Sequence, residues 1–137
     1  MAYVIGLVLA LAVSAYATLL QLDRDRAFYP TVVIVVASTY VLFAAMGGSG
    51  RVMVVESVVM GVFVVAASVG FRRSVWLVVA ALAAHGVLDF FHARLIANPG
   101  VPAWWPAFCM TYDLAAAAYL AWRLTHVRPL LSQESCP

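Results

Sequence analysis

His85, Asp89 and His92 stand at i, i+4 and i+7 within AHGVLDFFHARLIANPGVPAWWPAFCMTYD, the segment from Ala84 to Asp113. At about 100° per residue they fall near 0°, 40° and −20°, a stripe roughly 60° wide on one helix face. Val87, Leu88, Phe90 and Phe91 lie between them and cover the other faces. Two imidazoles and a carboxylate on one face can pass a proton between them or hold a metal ion. Similar groups lie in other apolar stretches. Glu56 has Met53 and Met60 on its face, Tyr40 lies upstream, and Tyr112 and Asp113 follow Cys109 by about one helical turn.

Two histidines with three carboxylates form a mixed nitrogen and oxygen ligand set that suits Zn²⁺, Fe²⁺ or Mn²⁺. Helical side chains lean toward their own N-terminus. His92 is therefore expected to lean toward Asp89, so that the two share an ion, with Asp113 and Glu56 reaching the same level from neighbouring helices. His85 leans away, which makes it a buttress of the ligands or a ligand of a second divalent ion. Glu56, Asp113 and Tyr112 are the candidates for proton transfer. The same residues also fit a metal-free acid/base pocket, or a set of interhelical hydrogen bonds worth only about 0.6 kcal/mol each. Cys109, Met53 and Met60 have ordinary packing roles.

The surroundings make these groups unusual. Of 137 residues, 66% are hydrophobic and 10% charged, with a mean hydropathy of +1.00, too apolar for a water-facing surface. An isolated charge at mid-bilayer costs at least about 2.5–3.5 kcal/mol, so buried ionisable groups must be paired, neutralised or metal-bound. The chain has no lysine, and its arginines are scattered, so no basic patch suggests nucleic acid. Cys109 and Cys136 form neither a CxxC motif nor a disulfide framework.

The pattern predicts an all-α, polytopic integral membrane protein: a compact bundle of five transmembrane helices over residues 1–126. Spans are expected near 2–22, 31–46, 52–70, 75–96 and 102–124, the second being short, and a cytoplasmic tail covers 127–137. The breaks LDRDRAFYP, GGSGR, FRRS and ANPGVP are short, so sequential helices should pack antiparallel. No positive charge precedes the first span, which therefore reads as an anchor rather than a signal peptide. Arg24, Arg26, Arg72, Arg73, Arg123 and Arg128 fall on one side of such a bundle, and Arg51 and Arg94 on the other. The positive-inside rule then puts the N-terminus outside and the C-terminus in the cytoplasm, the expected location being a bacterial inner membrane. Counted at about 1.5 Å per residue from the outer ends, Glu56 and His92 lie about 6 Å deep, Tyr40, Asp89 and Cys109 about 9–10 Å, and His85 and Asp113 about 16 Å. The polar groups thus share the outer half.

The expected function is a metal-dependent enzyme, a hydrolase or oxidoreductase, acting on a membrane lipid or another apolar small molecule. The alternatives are a metal-free lipid isomerase or cyclase, a proton or cation carrier, and an accessory membrane subunit. The inner half lacks polar stepping stones, which weighs against a carrier. Reporter fusions should give a cytoplasmic signal after His126 and an external one at Gly48; the reverse pattern would overturn the orientation.

Overall fold

In a medium without water, every backbone N–H and C=O must be satisfied within its own segment, so long apolar runs become helices. The computed structural model describes residues 1–24 and 26–126 and holds five of them. They are α1 (Ala2–Leu19), α2 (Phe28–Met46), α3 (Gly50–Arg72), α4 (Val75–Leu95) and α5 (Trp105–His126). The first four are long and apolar enough to cross a membrane. α5 is not among them: its 22 residues include Asp113 and Arg123, Pro106 and several aromatic and hydroxyl residues. The expected five spans are therefore met in four helices. The expected tail lies outside the described residues.

Three boundaries differ from the sequence expectation by three residues, and α1 is the first, ending at Leu19. α2 starts at Phe28, which brings it to 19 residues, about 28 Å and enough to span. Pro30 is accommodated because the first turn has no intrahelical partners for its N–H groups. α5 starts at Trp105 because the chain from Ile96 to Trp104 is a folded loop containing Pro99 and Pro102.

Two of the turns share one device. Leu22 N–H donates to the Ala17 carbonyl at 2.8 Å and Gln21 N–H to Thr18 at 3.1 Å, with Gln21 at φ 61°. Ser49 and Gly48 repeat the pattern onto Ala44 and Ala45, with Gly48 at φ 69°. Both close their helix with a left-handed residue that redirects the chain. Ser49 then caps α3 by accepting the Val52 N–H at 3.4 Å.

α4 is the hub, packing against α5, α3 and α2. Its buried face runs Val75, Val78, Leu82, His85, Asp89 and His92, alternating steps of three and four residues. One stripe is therefore apolar toward the α1–α2 loop and polar toward the α4–α5 loop. Sequential neighbours pack together from α2 onward, but α1 packs along α5 instead of α2. The reason is its buried small stripe of Gly6, Ala10, Ser14 and Ala17. Small residues let helix backbones approach closely where no hydrophobic effect drives them together.

Exposure is inverted relative to a water-soluble domain. Val54, Val58, Val62 and Val65 are 62–65% exposed, while Glu56, His85, Asp89, His92 and Asp113 are all at 2% or less. This arrangement is compatible with a membrane protein.

A Cβ on Gly6 would come within 2.3 Å of both the Phe108 carbonyl and Thr111 Oγ1. Gly6→Leu should therefore push α1 off α5 and cost about 1–3 kcal/mol. Gly61, which faces open space, should accept alanine without loss. Thermal unfolding in detergent checks both; an unchanged midpoint for Gly6→Leu would show that α1 does not depend on this contact.

Candidate functional site

Three side chains of the α4 stripe each meet a different helix. His85 Nδ1 lies 2.6 Å from Asp113 Oδ2 on α5 and 3.4 Å from Asp89 Oδ2 on its own helix. Asp89 Oδ1 accepts the Tyr40 hydroxyl of α2 at 2.6 Å. His92 Nε2 lies 2.9 Å from Glu56 Oε1 on α3. The Tyr40 ring stacks on the His92 ring, centroids 3.9 Å apart, so one residue touches both histidine–carboxylate pairs.

The α4–α5 loop adds a further member. Asn98 Nδ2 donates to Glu56 Oε1 at 2.9 Å and to the Tyr40 carbonyl at 3.1 Å. Its Oδ1 accepts the Gly100 N–H at 3.2 Å, which fixes which end of the amide points inward. A Cβ on Gly100 would strike the Phe43 carbonyl, so only glycine lets the loop settle this close to the end of α2.

The electrostatics are unbalanced at one point. Asp89 Oδ2 and Asp113 Oδ1 are buried and have no hydrogen-bond partner among the described residues. The single hydrogen on His85 Nδ1 serves Asp113 and leaves Asp89 Oδ2 without a donor. Buried carboxylate oxygens without donors are costly, so a proton or a cation must complete this group. His85, Asp89 and Asp113 each offer a ligand atom within 4.8 Å of the others, a group that could hold a metal ion. Such an ion at Nδ1 would replace the hydrogen now shared with Asp113, so binding would release a proton.

The grouping differs from the pairing inferred from side-chain lean. His92 turns sideways to Glu56 rather than down to Asp89, and His85 sits between the two aspartates. The lean rule treats a helix alone, whereas the partners on α3 and α5 decide which rotamer is satisfied. Glu56 and His92 form one pair, and His85, Asp89 and Asp113 one triad. Tyr112 joins neither. It lines a groove of about 290 Å³ between α1 and α2, together with Leu9, Val32, Phe108 and the buried Cys109. Asn98 is the member that sequence reasoning left out, and Tyr40 is one that it placed at the right depth without a role. Asn98, in a Pro–Gly turn, reads as a loop former until the loop is seen folded inward.

No family model, curated protein or solved structure matches the chain, so the site is read from its own chemistry. That chemistry makes the Tyr40 hydroxyl the donor that satisfies Asp89 Oδ1. Tyr40→Phe should keep the ring stack, leave a second unsatisfied oxygen on Asp89, and lower stability by about 1–3 kcal/mol. Denaturant unfolding measures this; a wild-type midpoint would show that Asp89 is satisfied in another way.

Proposed function

We propose that the protein is an integral membrane enzyme that holds a divalent metal ion between His85, Asp89 and Asp113 and acts on a lipid or another apolar molecule. One observation carries this reading: buried ligand atoms of His85, Asp89 and Asp113 lie within 4.8 Å of one another, and each aspartate keeps one buried oxygen with no hydrogen-bond partner among the described residues. The nitrogen and oxygen donors suit Zn²⁺, Fe²⁺ or Mn²⁺. A metal ion there would polarise a substrate oxygen or activate water. Tyr40 holds Asp89 in place, and the Glu56–His92 pair stands beside it as a proton acceptor and donor. α5 would be the fifth span, with the polar end of the bundle facing the exterior, as the arginine asymmetry suggests.

The apolar groove supports the choice of substrate class. It opens on the side where α1 and α2 do not pack together, and Cys109 on its wall is one helical turn from Asp113. A molecule dissolved in the bilayer could approach from there without crossing water.

A second reading, a metal-free acid/base site, is favoured by the 2.6 Å contact of His85 with Asp113, which is a complete hydrogen bond without an ion. Elemental analysis and Zn²⁺ or Mn²⁺ titration of detergent-purified protein separate the two. The metal reading expects bound ion in the wild type, proton release on binding, and loss of the ion in Asp89→Asn and Asp113→Asn. Added metal should raise the melting temperature of the wild type alone. In metal-stripped protein the two variants should be no less stable than wild type, because each neutralises a buried carboxylate that has one oxygen without a donor among the described residues. Equal metal content in wild type and Asp89→Asn would move the assignment to the metal-free site.

A further inference from the structure

The Glu56–His92–Asn98 cluster shares no side chain with the proposed metal ligands and has an orientation of its own. Glu56 Oε1 already accepts the Asn98 amide hydrogen, and His92 Nε2 points at the same oxygen from 2.9 Å. An oxygen engaged this way is an acceptor, so the hydrogen between it and His92 sits on Nε2. A neutral imidazole carries one hydrogen, which leaves Nδ1 as an acceptor. Nδ1 makes no hydrogen bond to any described residue and is not among the fully enclosed unpartnered atoms. A carboxylate holding one ring nitrogen so that the other can take a proton is the arrangement by which histidine bases are oriented.

His92 also forms part of the wall of a cleft of about 580 Å³ between the end of α4, the following loop and the start of α5. That volume lies within the ~300–1,000 Å³ of small-molecule sites. Asn98 is the other polar side chain of the lining, and the rest is apolar, including Ile96, Val101 and Pro106. Asn98 has spent its donors on Glu56 and Tyr40 and its oxygen on Gly100. Among the side chains of the lining, His92 Nδ1 is therefore the one hydrogen-bonding atom left unengaged by the described residues, and that atom is an acceptor.

We infer that this cleft binds an amphiphile with a single hydroxyl head, such as a long-chain or isoprenoid alcohol, whose hydroxyl donates to His92 Nδ1. The carboxylate of Glu56 holds the imidazole so that Nδ1 accepts this hydrogen, and the proton stays on the hydroxyl oxygen. A molecule whose head only accepts, a ketone or an ester, gains nothing at Nδ1. The site works without the metal ligands and stands whether or not His85 and the two aspartates hold an ion.

The test uses protein labelled with ¹⁵N-histidine in a hydroxyl-free zwitterionic detergent, titrated with 1-dodecanol and, separately, with dodecane. The free protein should show His92 with hydrogen on Nε2 and a bare Nδ1. Dodecanol should shift the Nδ1 resonance in the direction of hydrogen bonding and bind about tenfold more tightly than dodecane, the worth of one hydrogen bond. Ala103→Trp, which narrows the cleft without touching the cluster, should abolish the response and keep the tautomer. Asp89→Asn should retain it, so that loss of metal and loss of this site are read separately. A bare Nε2 in the free protein, equal responses to dodecanol and dodecane, or a full response in Ala103→Trp would each overturn the inference.

Discussion

A polar side chain in an apolar core has no water to fall back on, and it must find its partner on another helix. That constraint selects which helices meet. His85 reaches Asp113 on α5, Asp89 reaches Tyr40 on α2, and His92 reaches Glu56 on α3. Three successive positions on one face of α4 thus tie the hub to each of its neighbours. Formed bonds of this kind contribute only about 0.6 kcal/mol each, but an orphaned buried group costs about 1–3 kcal/mol. The asymmetry means that the polar groups act less by adding stability than by making wrong packings expensive. α1, which lacks such a group at this end, is held by close backbone approach at Gly6.

The other end of the bundle solves the same problem at the surface. Arg123 of α5 pairs with Asp23 in the α1–α2 turn and donates to Thr18 Oγ1 at 2.8 Å, and Thr18 Oγ1 lies 3.1 Å from the Tyr119 hydroxyl. This clasp fixes α1 to α5 where the chain turns. Between the clasp and the polar stripe lies an apolar stretch that includes Val33, Phe63, Val78, Leu82 and Leu120. The middle of the bundle is therefore ordinary packing, and the buried ionisable side chains of the described residues from α3, α4 and α5 gather at one end.

At that end the two histidines are oriented oppositely. Asp113 engages Nδ1 of His85, while Glu56 engages Nε2 of His92. With the carboxylates as acceptors, His85 carries its shared hydrogen on Nδ1 and His92 on Nε2, so opposite ring nitrogens face away from the two contacts. Tyr40 spans the pairs, by its hydroxyl on one side and its ring on the other, so neither pair can shift without disturbing a shared residue. Asn98 adds a contact from the loop, and its reach depends on Gly100 lying flat against the Phe43 carbonyl. A turn glycine thereby positions a polar side chain several residues from any helix core.

Much of the architecture was legible in the chain. Hydropathy runs of about 20 residues become helices because backbone satisfaction leaves no other choice, and the 3–4 spacing of His85, Asp89 and His92 puts them on one face whatever surrounds them. That Glu56, Asp89, His92 and Asp113 fall in the same half of the bundle follows from rise per residue. What spacing does not carry is the partner. Side-chain lean pairs His92 with Asp89 along one helix; contacts from α3 and α5, known only once the helices are packed, pair them elsewhere. Tyr112 and Asp113 are adjacent in sequence, yet a rotation of about 100° sends one into the α1–α2 groove and the other into the polar core. The sequence alone determined that Glu56, His85, Asp89, His92 and Asp113 share one half of the bundle; the packing of the helices and the loop decided which of them touch and which neighbours join them, because a hydrogen bond depends on tenths of an ångström and on direction.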